Sequence, residues 1–539
     1  MLLNLTYKTM KKFLVPIKIF YITTILGFAT MALSCRKSTI TKNVDNNIPS
    51  TGSKADLIKD SIFLYAQQVY YWYDALPTYG VFKPRQYTNA GNDYDNFNKV
   101  LFQITRYGID PNTNHPYEYY KKNPQETKYS YIEDLVANGS LAITQYNKQA
   151  ISWNGEANDV GLGYQFVGTP SNYSLYIRYV TPGSPAERAK FTRGYYFNKI
   201  NGFSFGNNYS LEIDRIIAEL NKFSLTIEGR KQDGTTFNTT LSKSFYNANP
   251  IYLDSIYTLG AKKIGYMAYA RFSNSNNSIL KFNAIFNEFA SNGVTDLVID
   301  LRYNGGGLIS TAEYLIELIG PSRIPNNSPL FSEHYNAKMQ NGDVSFLKNQ
   351  PERDGNGNII YENGKPITLN QYSYKAENYV TRFNKIGPLN NIENVVFIVS
   401  DYTASASELV INALKPYMNV KTVGTTTFGK PIGFFPIRID KYDVYYSMFN
   451  VKNSRGEGDY FSGLTPDYII SDDLTKLFGD TKETNLAMAL SVLTGSSPAI
   501  ASKKYMMVKG QSMANDLVSY SPINDTEFKG MIGGRLHKK

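Results

Sequence analysis

The sequence predicts a multidomain α+β chain: a mainly helical N-terminal domain, a small β domain and an α/β core. Three observations carry that prediction. Apolar residues recur at helical spacing soon after residue 56. Short β-like runs broken by glycine begin near residue 160. From Lys263 onward, strand-like and helix-like segments alternate. A length of 539 residues is ample for several domains, and 42% apolar with 19% charged residues is ordinary for a globular protein.

The first segment reads as a leader. MKKFLVPIKIFYITTILGFATMALSC has a basic start, an apolar middle and small residues before Cys35. Lys8, Lys11, Lys12 and Lys18 lie before Cys35 with no acid, and setting them aside lowers the formal charge from +10 to +6. Ala32-Leu33-Ser34-Cys35 resembles a bacterial lipobox. That resemblance implies cleavage after residue 34, lipid on Cys35, and a membrane-anchored protein of the cell envelope, at the outer membrane facing the periplasm. Cys35 is the one cysteine, so its lipidation leaves no thiol for disulfides, metal or nucleophilic chemistry. No later run of eighteen apolar residues exists. The charge is spread without a basic run beside aromatic platforms, which argues against nucleic acid as a partner.

Residues 35–55 are polar and read as a tether. The N-terminal domain is expected over 56–155. In DLIKDSIFLYAQQVYYWYDALP, Ile58, Ile62, Tyr65, Val69 and Trp72 recur at steps of four and three, and Pro77 marks the end of the run. YIEDLVANGSLAI, from Tyr131, is expected to form a second helix. A β domain is expected over 156–248. There Gly161-Leu162-Gly163-Tyr164 precedes YIRYVTPGSPAERAKFTRGYYFNKINGFSF. This order resembles a PDZ domain, although Lys190-Phe191 and Tyr195 depart from its usual residues. The resemblance implies that Gly161, Leu162, Gly163 and Tyr164 form a loop whose backbone N–H groups take a peptide C-terminus, with the peptide added as a strand.

The core is expected over 249–495, with an insertion at about 321–390 and a polar tail over 496–539. KIGYMAYARF and DLVIDL read as strands. Ile279, Phe282, Phe286 and Phe289 share one helix face before Gly293, and ISTAEYLIELIG reads as a second helix. NVVFIVS, SELVINAL and VKTVG repeat the alternation, which argues for parallel strands with right-handed crossovers.

The chemistry is constrained first by what is missing. The chain has three histidines, His115, His334 and His537, far apart in sequence. It has no HExxH, phosphate-binding loop or Cys/His cluster. No cofactor is expected and no metal site is assigned, although one built of carboxylates alone stays open at this level. TASASELVINAL places Ser405 where a strand turns into a helix. Free N–H groups at a helix start favour a developing anion. GTTTFGK sets Lys430 beside Phe428 and Gly429, and burial makes a lysine give up its proton more readily. In VIDLRYNGGGL, a strand ends in Asn304-Gly305-Gly306-Gly307, and glycines let the main chain aim N–H groups at a substrate oxygen.

In this order, DLRxNxGG, ASASE and TFGK resemble the C-terminal processing peptidases, also called tail-specific proteases, as does the GLTPD run at Gly463–Asp467. The resemblance spans about 155–495. It implies a crotonase-like (ββα-spiral) serine protease core, Ser405 as nucleophile, Lys430 as general base, and the N–H groups of Gly306 and Ala406 as oxyanion hole. The implied partners are protein or peptide substrates; the oligomeric state stays unknown. Ser407 would point elsewhere on the helical turn, Glu408 reads as a charge in the helix first turn, and Asp300 with Arg302 as braces of the strand end. Two departures support a rival reading, a peptide-binding lipoprotein without catalysis. Phe434 stands where many members carry Gln, and Pro431 where they carry Gly. An acyl-CoA enzyme of crotonase type is a third reading, but it leaves ASASE and the PDZ-like stretch without a role.

Overall fold

The structure, a computed structural model, describes residues 48–136, 151–152, 154–354, 357–496 and the short strands Met531–Ile532 and His537–Lys538. The leader, Cys35, most of the tether and nearly all of the polar tail lie outside the described residues. No helix among the described residues is long and apolar enough to cross a membrane.

The first helix, Lys54–Val69, starts on Ser53, whose hydroxyl accepts from Asp56 N–H. It buries Ile58, Ile62, Tyr65 and Val69, as the spacing predicts. It stops at Val69, well before Pro77, because Tyr70 turns extended and Tyr71 N–H donates to Ser447 O at 2.7 Å. Asp93–Ile104 forms a second helix, capped by Asn92. The helix expected from Tyr131 does not start there. Tyr131–Asp134 is a strand, antiparallel to Tyr442–Tyr445, and residues 137–150 lie outside the described set. Cross-strand pairing decides the conformation here: Tyr131 stacks on Tyr445 at 4.4 Å and Lys441 pairs with Asp134 at 2.7 Å.

Residues 156–248 make a β-rich unit with its own core of Phe166, Leu175, Ile177, Phe197 and Ile227. Its main sheet runs Thr236–Ser242, Ser224–Arg230, Tyr196–Ile200, Asn172–Val180 and Leu162–Thr169, which leaves Leu162–Thr169 as an edge strand.

The central sheet orders its strands Ile251–Leu259, Lys262–Tyr269, Asp296–Asp300, Asn394–Val399, Asn419–Gly424 and Tyr468–Ile469. The first pair is antiparallel and every later pairing is parallel. Both faces are covered, which is why the middle strands read as unbroken apolar runs. Leu297 and Ile299 face the larger core with helices Leu280–Ser291, Ile309–Ile319 and Ala406–Leu414. Val298, Val396 and Ile398 face the helix Thr484–Thr494. The larger core is continuous with the N-terminal helices: Ile62, Phe63, Phe97 and Leu101 belong to the same cluster as Leu409, Phe434 and Tyr446. Residues 56–136 are therefore part of the core assembly rather than a separately packed domain, and Pro49–Lys539 form one compact unit. In the insertion, Tyr361–Glu362 and Lys365–Pro366 form a hairpin, while Pro329–Tyr335 joins a second sheet with Phe449–Asn453.

Candidate active site

Parallel strands deliver their C-terminal ends to one edge, and there three loops meet. The first follows Asn394–Val399. Thr403 folds it back, its hydroxyl bridging Ser400 N–H at 2.9 Å and Leu301 O at 2.8 Å. Ser405 comes next, with φ 59° and ψ −115°, a backbone state rare outside glycine. It caps the helix Ala406–Leu414 and is fully buried.

The second loop follows Asp296–Asp300. Asn304 organises it: its side chain donates to Tyr269 O and accepts from Gly306 N–H at 2.9 Å, and its carbonyl accepts from Ala404 N–H and Ser407 Oγ. Ser407 thus turns away from Ser405 to bind the neighbouring loop. Gly306 has φ 104°, and a Cβ there would sit 2.8 Å from both Ala404 O and Ser405 Cβ and 3.0 Å from Ala406 N. This contact explains the run of small residues in TASAS. The Gly306 and Ala406 amides flank Ser405, but Gly306 N–H is engaged by Asn304 in this structure.

The third loop carries Lys430, 2% exposed. Glu408 joins it to the first. Its Oε2 accepts from Ser405 N–H at 2.9 Å and Lys430 N–H at 2.8 Å, and its Oε1 accepts from Gly429 N–H at 2.7 Å and the Thr427 hydroxyl. The backbones at 405 and 430 thus meet at one carboxylate oxygen. Burial pushes the Glu408 carboxyl above the usual range, opposed by those four donors. The Lys430 amine lies 4.4 Å from the centroid of Phe434 and 6.0 Å from that of Tyr129. Ser405 Oγ makes no hydrogen bond to any described residue, Lys430 included. The GLTPD run supports the same turn: Leu464 N–H donates to Thr427 Oγ1, Asp467 accepts from Thr422, and Gly463 and Gly429 pack backbone to backbone.

Asp300 and Arg302 brace the strand end within a larger network. The Arg302 guanidinium pairs with Asp300, Asp472 and Glu483, all within 3.0 Å, and Arg193 of the β-rich unit pairs with Asp472 at 2.6 Å and donates to Tyr303 OH. The two arginines hold the Asp472 carboxyl far below the usual range despite burial.

His115 stacks on Tyr119 and His334 bonds Ser332. No group of three or more metal-ligating side chains occurs among the described residues. Cys35 and the side chain of His537 lie outside them. The loop expected at Gly161–Tyr164 is reduced to Gly161, which has φ 78° and donates to Asp159 at 2.7 Å; Leu162, Gly163 and Tyr164 already belong to the edge strand, because they pair with Val180, Tyr179 and Ile177.

Residues 263–470, which hold Gly306, Ser405 and Lys430, match peptidase family S41. The chain is 26% identical over 296 residues to a carboxyl-terminal-processing protease of Picosynechococcus sp., covering 54% of this chain and 58% of that one. It is 23% identical over 404 residues to a carboxyl-terminal-processing protease of Synechocystis sp., covering 72% and 82%. The chain thus carries a peptidase family S41 domain and is similar to carboxyl-terminal-processing proteases. It spans little more than half the length of the first of these S41 relatives. An S41 protease structure from Bacteroides fragilis shares the fold, with TM-score 0.50 and 23% identity over 81% of this chain and 97% of that one.

Sequence reasoning missed several residues of this S41 site. Glu408 links the Ser405 turn to the Lys430 turn. Tyr129 donates its hydroxyl to Gly429 O, and Glu118 holds Tyr129 and Ser130 through their N–H groups at 3.2 and 2.9 Å. Only Glu408 carried a local signal, since it stands three residues after a helix-capping serine.

Proposed function

We propose that the chain is a serine-type endopeptidase with a Ser-Lys dyad. One observation carries the proposal: a strained, buried serine at a helix start and a buried lysine both donate their backbone N–H groups to one oxygen of the Glu408 carboxylate, beside a glycine loop. Ser405 Oγ attacks the scissile carbonyl. Lys430, as the neutral amine, takes the hydroxyl proton and returns it to the leaving amine. The substrate oxygen takes the Ala406 N–H, and the Gly306 N–H once it exchanges Asn304 for the oxyanion. Water then hydrolyses the acyl-enzyme with Lys430 again as base. Substrate entry has to part Ser405 from its packing, because the hydroxyl is buried.

The substrates are proteins presented by their C-terminal ends. The edge strand Leu162–Thr169, entered from Gly161, supports this reading, since the edge of a sheet accepts an added strand. The Cys35 pattern supports a lipid anchor in the cell envelope, facing the periplasm. Replacing Ser405 or Lys430 by Ala is expected to abolish cleavage of an unfolded protein while circular dichroism stays unchanged. Turnover retained by both variants would overturn the assignment.

A further inference from the structure

Phe434 occupies the position where a side-chain amide would be the usual neighbour of the base, and its geometry gives it a different task. Lys430 N–H is fixed on Glu408, Pro431 fixes the next φ, and Pro431 O accepts from Val451 N–H at 2.8 Å. The lysine backbone is thus immobilised, and only its side-chain torsions set where the amine goes. Four residues on, Phe434 is fully buried and its ring lies 4.4 Å from the amine. That ring is held in turn. Tyr131 and Tyr445 pack against it at 5.6 and 5.4 Å, near perpendicular, and stack on each other. Gly433 makes room beside it, since a Cβ there would sit 2.2 Å from the Phe449 ring.

We propose that Phe434 is a positioning residue for Lys430: its ring face holds the resting ammonium, and the amine leaves the ring for Ser405 once it has lost its proton. The inference rests on Lys430 being the base. An aromatic face attracts a cation through its quadrupole and attracts a neutral amine far less. The ring therefore favours the protonated lysine and opposes burial, which favours the neutral one. Titratable groups of the described residues near the amine include the Glu408 carboxylate under the Lys430 backbone, the Tyr129 hydroxyl on Gly429 O, and beyond them Tyr460, whose proton affinity burial and then Glu408 raise. Lys128 lies over the Tyr129 and Phe428 rings, Glu118 binds the Tyr129 backbone, and Glu133 pairs with Tyr445 behind Phe434. None of these changes when Phe434 alone is replaced.

The test is the pH profile of kcat/KM, with fluorophosphonate labelling of Ser405 as a second readout, in wild type, Phe434→Leu and a protein carrying ring-fluorinated phenylalanine at 434. Fluorination keeps the shape and weakens the negative face. The acid limb is expected to move about 0.5–1 pH unit lower in Phe434→Leu and in steps with added fluorine. Coincident limbs across an active series, or a limb moving upward, would remove the role of Phe434 and leave the dyad standing. A wild type that neither cleaves nor labels at any pH would instead sink the dyad and this inference with it. Should Phe434→Leu fail to fold, the fluorinated proteins decide alone.

Discussion

Glu408→Gln is the sharpest single perturbation of the site. The carboxylate is fully buried and takes four donors, two on each oxygen: Ser405 N–H and Lys430 N–H on one, Gly429 N–H and the Thr427 hydroxyl on the other. Glutamine keeps one acceptor oxygen and sets an NH2 group against the other pair. Two hydrogen bonds to a charged group are lost, each worth about 1.5–3 kcal/mol, and their donors stay buried. The neutral side chain also avoids the cost of burying a charge, which returns part of that loss. The net expectation is about 2–4 kcal/mol of destabilisation. If the NH2 group faces Ser405 and Lys430, both backbones shift, and a misplacement of about 1 Å costs roughly 100-fold in rate. Urea unfolding monitored by tryptophan fluorescence gives the first quantity, and kcat on an unfolded protein substrate, per folded molecule, gives the second. A variant that keeps wild-type kcat and loses under about 0.5 kcal/mol would refute the view that Glu408 joins the two loops and return it to an ordinary helix charge.

The strained backbone of Ser405 predicts that Ser405→Gly is more stable than Ser405→Ala by about 1 kcal/mol or more, with both inactive, because glycine tolerates φ 59° and alanine does not; equal melting temperatures would count against stored strain. Glu133 is mostly buried beside Tyr445 and Asp443, and burial pushes its carboxyl up to about 7. A carboxyl raised in the folded state costs nothing below its unfolded value near 4.3 and destabilises as pH rises through about 7. Glu133→Gln should remove that loss and stabilise the protein at pH above 7 by about 1–2 kcal/mol, a figure reduced for its partial exposure; an unchanged stability-versus-pH curve between those limits would contradict the burial effect.

The α/β alternation was legible because each central strand is buried on both faces, so runs such as LVID and VVFIV carry their own signal. Ser405, Gly306 and Lys430 were legible for a related reason: a strained turn, a glycine in close contact and a glycine-flanked lysine all constrain nearby residue types. What could not be read depends on distant pairing. Tyr131–Asp134 carries a sequence compatible with a helix and becomes a strand only against Tyr442–Tyr445. Tyr129 reaches Gly429, 300 positions away, and Arg193 meets Asp472 across 279. Nothing local in those segments marks the partner. For the same reason the N-terminal helices look like a separate domain in sequence, although their apolar faces complete the core that carries Ser405.

That shared core changes what the N-terminal segment does. The Gly429–Lys430 turn is gripped from two sides: Glu408 takes its N–H groups, and Tyr129 gives its hydroxyl to Gly429 O. Glu118 fixes Tyr129 and Ser130 and also accepts from the Ser447 hydroxyl, tying the same segment to the strand pair that holds Phe434. With the Lys430 backbone clamped by the helix Ala406–Leu414 on one side and by residues 118–131 on the other, the separation between amine and hydroxyl is left to the Lys430 side chain and to the strained residue Ser405. The site therefore has its framework in place, with no hydrogen bond joining Ser405 Oγ to Lys430.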